Sequence, residues 1–174
     1  MDKELIPIDL CDFSAFSLWD GWFLLTAGDF GLGHFNTMTV SWGMMGVMWN
    51  KSVVQVMVQP SRRTYELIEK YPDFTLSAFP ENHHRTLSML GVKSGHEIDK
   101  VKEAGLTAVA SKKVAAPTFA EAELVLECRK IYYGDILESH FLVDGLAGLS
   151  SNDFHRFYLG EILAVEGVEK FSKR

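Results

Sequence analysis

The sequence predicts a mainly β domain, a closed or half-closed antiparallel barrel crossed by short helices. Three observations point to it: short runs rich in β-branched and aromatic residues recur along the chain, isolated helical patterns fill the gaps, and regular β-α-β alternation is absent. With 174 residues, 47% of them hydrophobic and 23% charged, the chain is read as one domain over 1–174 with a large core.

The first strand runs from Trp22 to Ala27 and stops at Gly28, Gly31 and Gly33, which make a tight turn into a strand from Asn36 to Trp42. The glycine order is reversed from the dinucleotide fingerprint and a strand, not a helix, follows, so the turn reads as a hairpin and not as a nucleotide loop. Met44 to Asn50 is expected to be a connection. Ser52 to Gln59 has the continuous β-branched character of a strand buried on both faces. Arg62 to Tyr71 carries Leu67, Ile68 and Tyr71 at helical spacing, and Asp73 to Phe79 returns as a strand. Asn82 to Leu90 and Glu97 to Ala104 read as short helices, the second opened by the capping-box pattern Ser94-Gly-His-Glu97. Leu124 to Tyr133, Ile136 to Val143 and Arg156 to Val165 complete about seven strands.

Charge and cysteine content narrow the function classes. A net charge of -6 argues against a nucleic-acid partner, which needs a basic surface, and makes Arg62-Arg63 a local anion site. No run has the length of a membrane span and the N-terminus lacks signal-peptide order, so no membrane partner and a cytoplasmic location are expected. Cys11 and Cys128 are too isolated for a disulfide framework or zinc site and read as small buried hydrophobes. His83-His84 lacks further ligands and reads as surface, so no metal is assigned.

Two segments carry chemistry. In Asn36-Thr-Met-Thr-Val-Ser-Trp42 hydroxyls alternate with apolar groups, with Thr37, Thr39 and Ser41 on one strand face and Met38, Val40 and Trp42 on the other. In Gln59-Pro-Ser-Arg-Arg-Thr-Tyr65 a strand ends at a proline and a helix begins at a serine cap with two arginines and a threonine. A helix start offers unpaired amide donors and a positive dipole end, so added guanidiniums and hydroxyls make a phosphate cradle. Polar ladder and anchor together read as a flavin site. Each residue also has a plain structural reading: Met38 and Trp42 as core, Ser61 and Ser94 as helix caps, Lys100 as a solvated lysine beside Glu97 and Glu103. The Met44-Met45-Gly-Val-Met48-Trp49 run reads as adaptable packing, a soft wall for a flat ligand, or an interface.

These segments, with Leu25-Thr-Ala-Gly28, Phe74-Thr-Leu-Ser77, Ser94-Gly-His-Glu-Ile-Asp-Lys100 plus Ala104-Gly-Leu-Thr107, Leu126-Glu-Cys128 and His155-Arg-Phe-Tyr-Leu-Gly-Glu-Ile162, resemble in order the flavin reductase-like family of FMN-binding split barrels. The resemblance covers roughly residues 22 to 165 and implies a β+α, Greek-key antiparallel split β-barrel that binds FMN. It implies a flavin-lining role for Asn36, Thr37, Met38, Thr39 and Trp42, cofactor binding by Gln59, a phosphate-side role for Ser61, Arg62, Arg63 and Thr64, and an approach to FMN by Ser94, Lys100 and His155. Lys100 and His155 are the candidates to stabilise the charge of the reduced ring. No catalytic nucleophile or base is assigned. Activity is expected as hydride transfer from NADH or NADPH to flavin. The alternatives are a flavoredoxin-like carrier passing electrons to a protein acceptor, and a flavin-binding module without turnover. A homodimer is implied. Tyr133 to Gly145 departs from the family as an insertion.

Overall fold

The computed structural model describes residues 2–143 and 154–173. A seven-strand antiparallel path carries the architecture, in the order β3-β2-β6-β9-β10-β5-β4: β2 (Phe23–Asp29), β3 (His34–Val40), β4 (Gly43–Met48), β5 (Lys51–Val58), β6 (Asp73–Ala78), β9 (Leu124–Asp135) and β10 (Arg156–Gly167). A short β1 (Glu4–Leu5) pairs with the end of β10, and β7 (Ala108–Val109) pairs with β8 (Thr118–Phe119) in a separate ribbon. Helices α1 (Ala15–Gly21), α2 (Arg63–Lys70), α3 (His84–Val92) and α4 (Lys100–Ala104) stand between strands. The two ends of the path, β3 and β4, follow one another in sequence through Ser41-Trp42, yet no ladder joins them among the described residues. The sheet is therefore a split barrel, open along that seam.

Burial explains why the central strands lack alternation. Along β2, Phe23 and Leu25 enter the main core with Val54, Val56, Phe74, Leu76, Leu126 and Tyr158. Leu24, between them, packs the opposite way against Leu87, Leu90, Phe119 and Val125. Both faces are thus covered, and a fully buried leucine stabilises by about 1.5–3 kcal/mol on either side. Helix α3 and the β7-β8 ribbon cover the outer face. The β2-β3 hairpin turns where expected: Gly28 has φ +126° and a Cβ there would lie 2.3 Å from His34 O, while Gly33 has φ +61°. In the first half of β10 a register shift falls at Leu159/Gly160, and a Cβ on Gly160 would come within 2.4 Å of the Phe74 ring.

Several expectations change. Met44 to Asn50 is not a connection: Gly43–Met48 is an edge strand paired residue by residue with β5, and the chain reverses at Trp49-Asn50, whose φ values of 51° and 57° make the two-residue turn that twisted hairpins favour. Ser61 is not the cap of α2. Arg62 is the N-cap residue, with no side-chain bond to the helix start. Helix α4 begins at Lys100 and not at Glu97, because Asp99 Oδ1 accepts from Lys102 N (3.2 Å), while Ser94 Oγ accepts from His96 N (3.2 Å). The strand expected over Ile136 to Val143 is absent; β9 continues to Asp135 and a 3-10 turn follows at Glu138–His140. The last two residues of the Tyr133 to Gly145 insertion lie outside the described residues.

Candidate functional site

Beside that seam, between β3 and the end of β5, lie two adjoining cavities. One, of about 280 Å³, has Met38, Val40, Trp42 and Met57 as apolar walls, with Thr39, Ser41, Gln59, Arg62 and His155 among them. The other, of about 240 Å³, is lined by Asn36, Ser61, Arg63, Thr64, Lys93, Ser94, Gly95 and Lys100. Met38, Gln59 and Arg62 line both and form the shared wall. The first cavity sets these four apolar side chains among polar ones; the second is ringed by four cations.

The elements that build it follow from the topology. Strand β3 delivers Asn36 to Val40 along one side of the cavities, and Met57 of β5 with Gln59 just past its end stands on the other. The chain then turns at Pro60 into α2, which sets Arg62 to Thr64 at the helix start. Asn36 Nδ2 donates to Thr64 Oγ1 at 2.8 Å, tying the strand to the helix. Trp42, 51% exposed, meets the His155 ring at 5.1 Å across the mouth of the apolar cavity.

Electrostatics separate the four cations into pairs. Lys93 is bonded to Glu103 at 2.6 Å, and Arg63 is paired with Glu66. Arg62 and Lys100 have only neutral partners among the described residues. Arg62 Nε donates to Gln59 Oε1 and Nη1 to Gly91 O, both at 3.2 Å, and Lys100 Nζ donates to Leu90 O at 2.7 Å. Lys100 is 4% exposed. Burial, and then the neighbouring Arg62 charge, lower its pKa to about 8. Two like charges facing each other without a carboxylate form a site complementary to an anion.

All the residues singled out from the sequence line one cavity or the other, except Thr37. Its hydroxyl accepts from Thr26 Oγ1 (3.1 Å) and donates to Leu25 O (3.0 Å), deep between strands. The hydroxyl ladder is thus largely consumed by the fold, since Thr39 Oγ1 also donates to Leu87 O at 2.6 Å. Met38 is both core and cavity wall, at 8% exposure. Lys100 stands in the cationic cavity and not beside Trp42, whereas His155 stands in the apolar one, so of the two candidates for the ring only His155 lies at that end. Sequence reasoning missed Met57, Lys93 and Gly95. Only the period of β5 and the glycine beside Ser94 offered any signal for them. His84 is a stacking partner of Trp22, at 5.0 Å between ring centroids.

A family model described as the flavin reductase like domain matches residues 18–172. An uncharacterized protein of Pyrococcus abyssi is 34% identical over 104 residues, covering 58% of this chain and 58% of that protein, so the chain aligns with under two thirds of that relative's length. Among solved structures, flavoredoxin of Desulfovibrio vulgaris (Miyazaki F) has a TM-score of 0.67 at 24% identity, covering 86% of this chain and 70% of that one. An FMN-binding domain of a flavin reductases-like enzyme from Shewanella baltica OS155 has a TM-score of 0.69 at 15% identity, covering 95% and 77%. With the split sheet in place and the family model spanning nearly the whole sequence, the chain belongs to the flavin reductase-like family.

Proposed function

We propose that the protein is an FMN-dependent oxidoreductase of the flavin reductase class, taking hydride from NADH or NADPH and passing reducing equivalents to an acceptor. The observation that carries this reading is the Arg62-Lys100 pair. Two positive charges without carboxylate partners among the described residues match the two negative charges of a phosphate monoester, and a cavity with apolar walls at Met38, Val40, Trp42 and Met57 adjoins them. The donor set fits FMN on chemical grounds. Arg62, Arg63 and Lys100 would hold the phosphate, with Ser61, Thr64 and Ser94 adding hydroxyls; Asn36 and Gln59 would meet the polar chain. Met38, Val40, Met57 and Trp42 would pack on the ring.

Bound there, FMN supplies a ring able to accept hydride from a reduced nicotinamide and to release electrons again. The protein's own part is binding, orientation and charge. The apolar walls would cover part of the ring from water. His155, which lines that cavity, can donate a hydrogen bond to negative charge developing on the ring. No nucleophile is required. A homodimer is part of the proposal, supported by the exposed apolar side chains Met44, Val47, Trp49 and Tyr132, of which Trp49 and Tyr132 meet at 6.2 Å between ring centres.

A second reading, an electron carrier serving a protein acceptor, is favoured by the half-exposed Trp42, which leaves one end of the apolar cavity open to a docking surface. The test is absorbance of the purified protein supplied with FMN and freed of excess. Retained flavin bands bleached by NADH or NADPH, with steady turnover above free flavin, support the reductase. Retained bands that bleach only with a protein donor select the carrier. A protein that retains no flavin and gives no binding in titration sinks both.

A further inference from the structure

We infer that His34, which lines neither cavity, is a positioning residue that aims Arg63 at the phosphate and so sets the preference for phosphorylated over unphosphorylated flavin. The inference rests on the flavin reading above.

His34 opens β3, two residues before Asn36, so the strand's period of two puts both side chains on one face, toward α2. Its ring joins the two ends of that helix. Nδ1 lies 2.8 Å from Tyr71 Oη at the C-terminal cap, and Nε2 lies 3.5 Å from Arg63 Nη2 in the first turn. The ring centroids of His34 and Tyr71 are 5.8 Å apart.

Hydrogen-bond chemistry fixes the tautomer. A guanidinium only donates, so Nε2 must be the bare acceptor nitrogen if its contact with Arg63 is a bond. Nδ1 then carries the proton and donates to the Tyr71 oxygen. The opposite tautomer would set an N–H against an N–H. The Tyr71 hydroxyl, which can donate or accept, anchors the ring in place, and the Arg63 contact selects the tautomer.

Arg63 needs such a guide. Its Nη1 is drawn to Glu66, which pulls the guanidinium along the outer face of α2, and Glu66 is itself 3.5 Å from His96 Nε2. Unlike Arg62, Arg63 has a carboxylate competitor for any incoming anion. The His34 contact takes up Nη2 and fixes the plane of the fork while Arg63 remains part of the cationic lining. Without it the side chain is free to close on Glu66 alone. A loss of this kind touches the phosphate and leaves the ring end unaffected.

The experiment compares dissociation constants for FMN and riboflavin in the full-length protein at pH 7.5, for wild type, His34→Leu, His34→Gln, Arg63→Met and the His34→Leu/Arg63→Met pair. Wild type should prefer FMN. His34→Leu should lower that preference about three- to tenfold with riboflavin affinity unchanged, and His34→Gln, whose amide oxygen can accept, should restore most of it. In the Arg63→Met background His34→Leu should change nothing. The inference is overturned if His34→Leu weakens both ligands alike, or lowers the preference equally with and without Arg63. If His34→Leu does not fold, an unaltered FMN preference in Tyr71→Phe, which removes the anchor of the His34 ring, overturns it as well. Failure of the flavin reading is visible separately: wild type itself binds neither ligand, and the inference falls with it.

Discussion

Helix α2 has an arginine at each end, and the two differ in their company. At its far end Arg156 reaches in from β10: its fork takes both Asp135 oxygens at 2.7 and 2.9 Å, Nη1 donates to Glu69 at 3.2 Å, and the guanidinium lies 4.6 Å from the Tyr133 ring centre. The Asp135 bond raises its already high pKa further. Tyr158 Oη closes the cluster on Glu69 at 2.6 Å; burial, with Glu69 second, raises the Tyr158 pKa. At the near end Arg62 has one amide oxygen, one carbonyl and a buried lysine beside it. A compensated arginine braces strands. An uncompensated one, repelled by its neighbour, is complementary to something the chain does not contain.

The sharpest way to break this contrast is to remove each arginine in turn. Arg62→Met should weaken FMN about ten- to a hundredfold, the loss of a charge-assisted bond of about 1.5–3 kcal/mol, and leave riboflavin and thermal stability nearly unchanged. Arg156→Met should do the reverse, lowering stability by about 1 kcal/mol, since its network is largely exposed, and sparing flavin affinity. Calorimetric melting and flavin titration on both variants decide it. An Arg62→Met protein that loses both ligands equally would remove the phosphate assignment.

Lys100 extends the contrast to pH. Its folded pKa of about 8 lies below the unfolded 10.5, so between those values the unfolded chain binds more protons and stability rises with pH. Below pH 8 burial of the charge costs its full amount. The same charge serves the anion, so FMN affinity should fall as pH rises above about 8, by up to roughly tenfold per unit at the steepest. Lys100→Met should flatten both profiles, with higher stability at neutral pH and weaker FMN. Affinity that keeps its pH dependence in Lys100→Met would assign that dependence to another group.

How far these regions could be read in the sequence follows the reach of the interactions that make them. Hairpin β2-β3 and helix α2 are written locally, in Gly28 to Gly33 and in the spacing of Leu67, Ile68 and Tyr71. Strand β4 was not legible because Gly43-Met-Met-Gly-Val-Met48 has neither alternation nor a glycine at its turn, and only pairing with β5 makes it a strand. Period two correctly separated Thr37 from Met38 but could not say that the Thr37 face is also covered. Ser61 and Ser94 look like caps, yet the helices begin two and six residues later, where the backbone turns. The pairing of Arg62 with Lys100 joins residues from α2 and α4, and the link from His34 to Arg63 spans 29 positions, so neither leaves a mark on its neighbours in sequence.

At the other cavity the contrast predicts a different signature. Trp42→Ala removes a ring-side wall and its contact with His155, worth about 0.5–1.5 kcal/mol, and carries no charge. FMN and riboflavin should weaken together, about three- to tenfold, at a constant ratio. A changed ratio would mean that the two cavities are coupled through their shared wall of Met38, Gln59 and Arg62.

The smallest expected effect lies where strand and helix are tied beneath the cationic cavity. A Cβ on Gly95 would stand 2.6 Å from Asn36 Oδ1 and 2.8 Å from Nδ2, so Gly95→Ala must push the amide aside. The amide end can swing, but doing so breaks its bond to Thr64 Oγ1, at a cost of about 0.5–1.5 kcal/mol in stability and a few-fold in FMN affinity. A double-mutant cycle isolates the cause. In an Asn36→Ala background the added methyl has room, and Gly95→Ala should then cost nothing in either readout. An unchanged cost there would move the role of Gly95 from making space for Asn36 to the backbone of the Ser94-Gly95 turn itself.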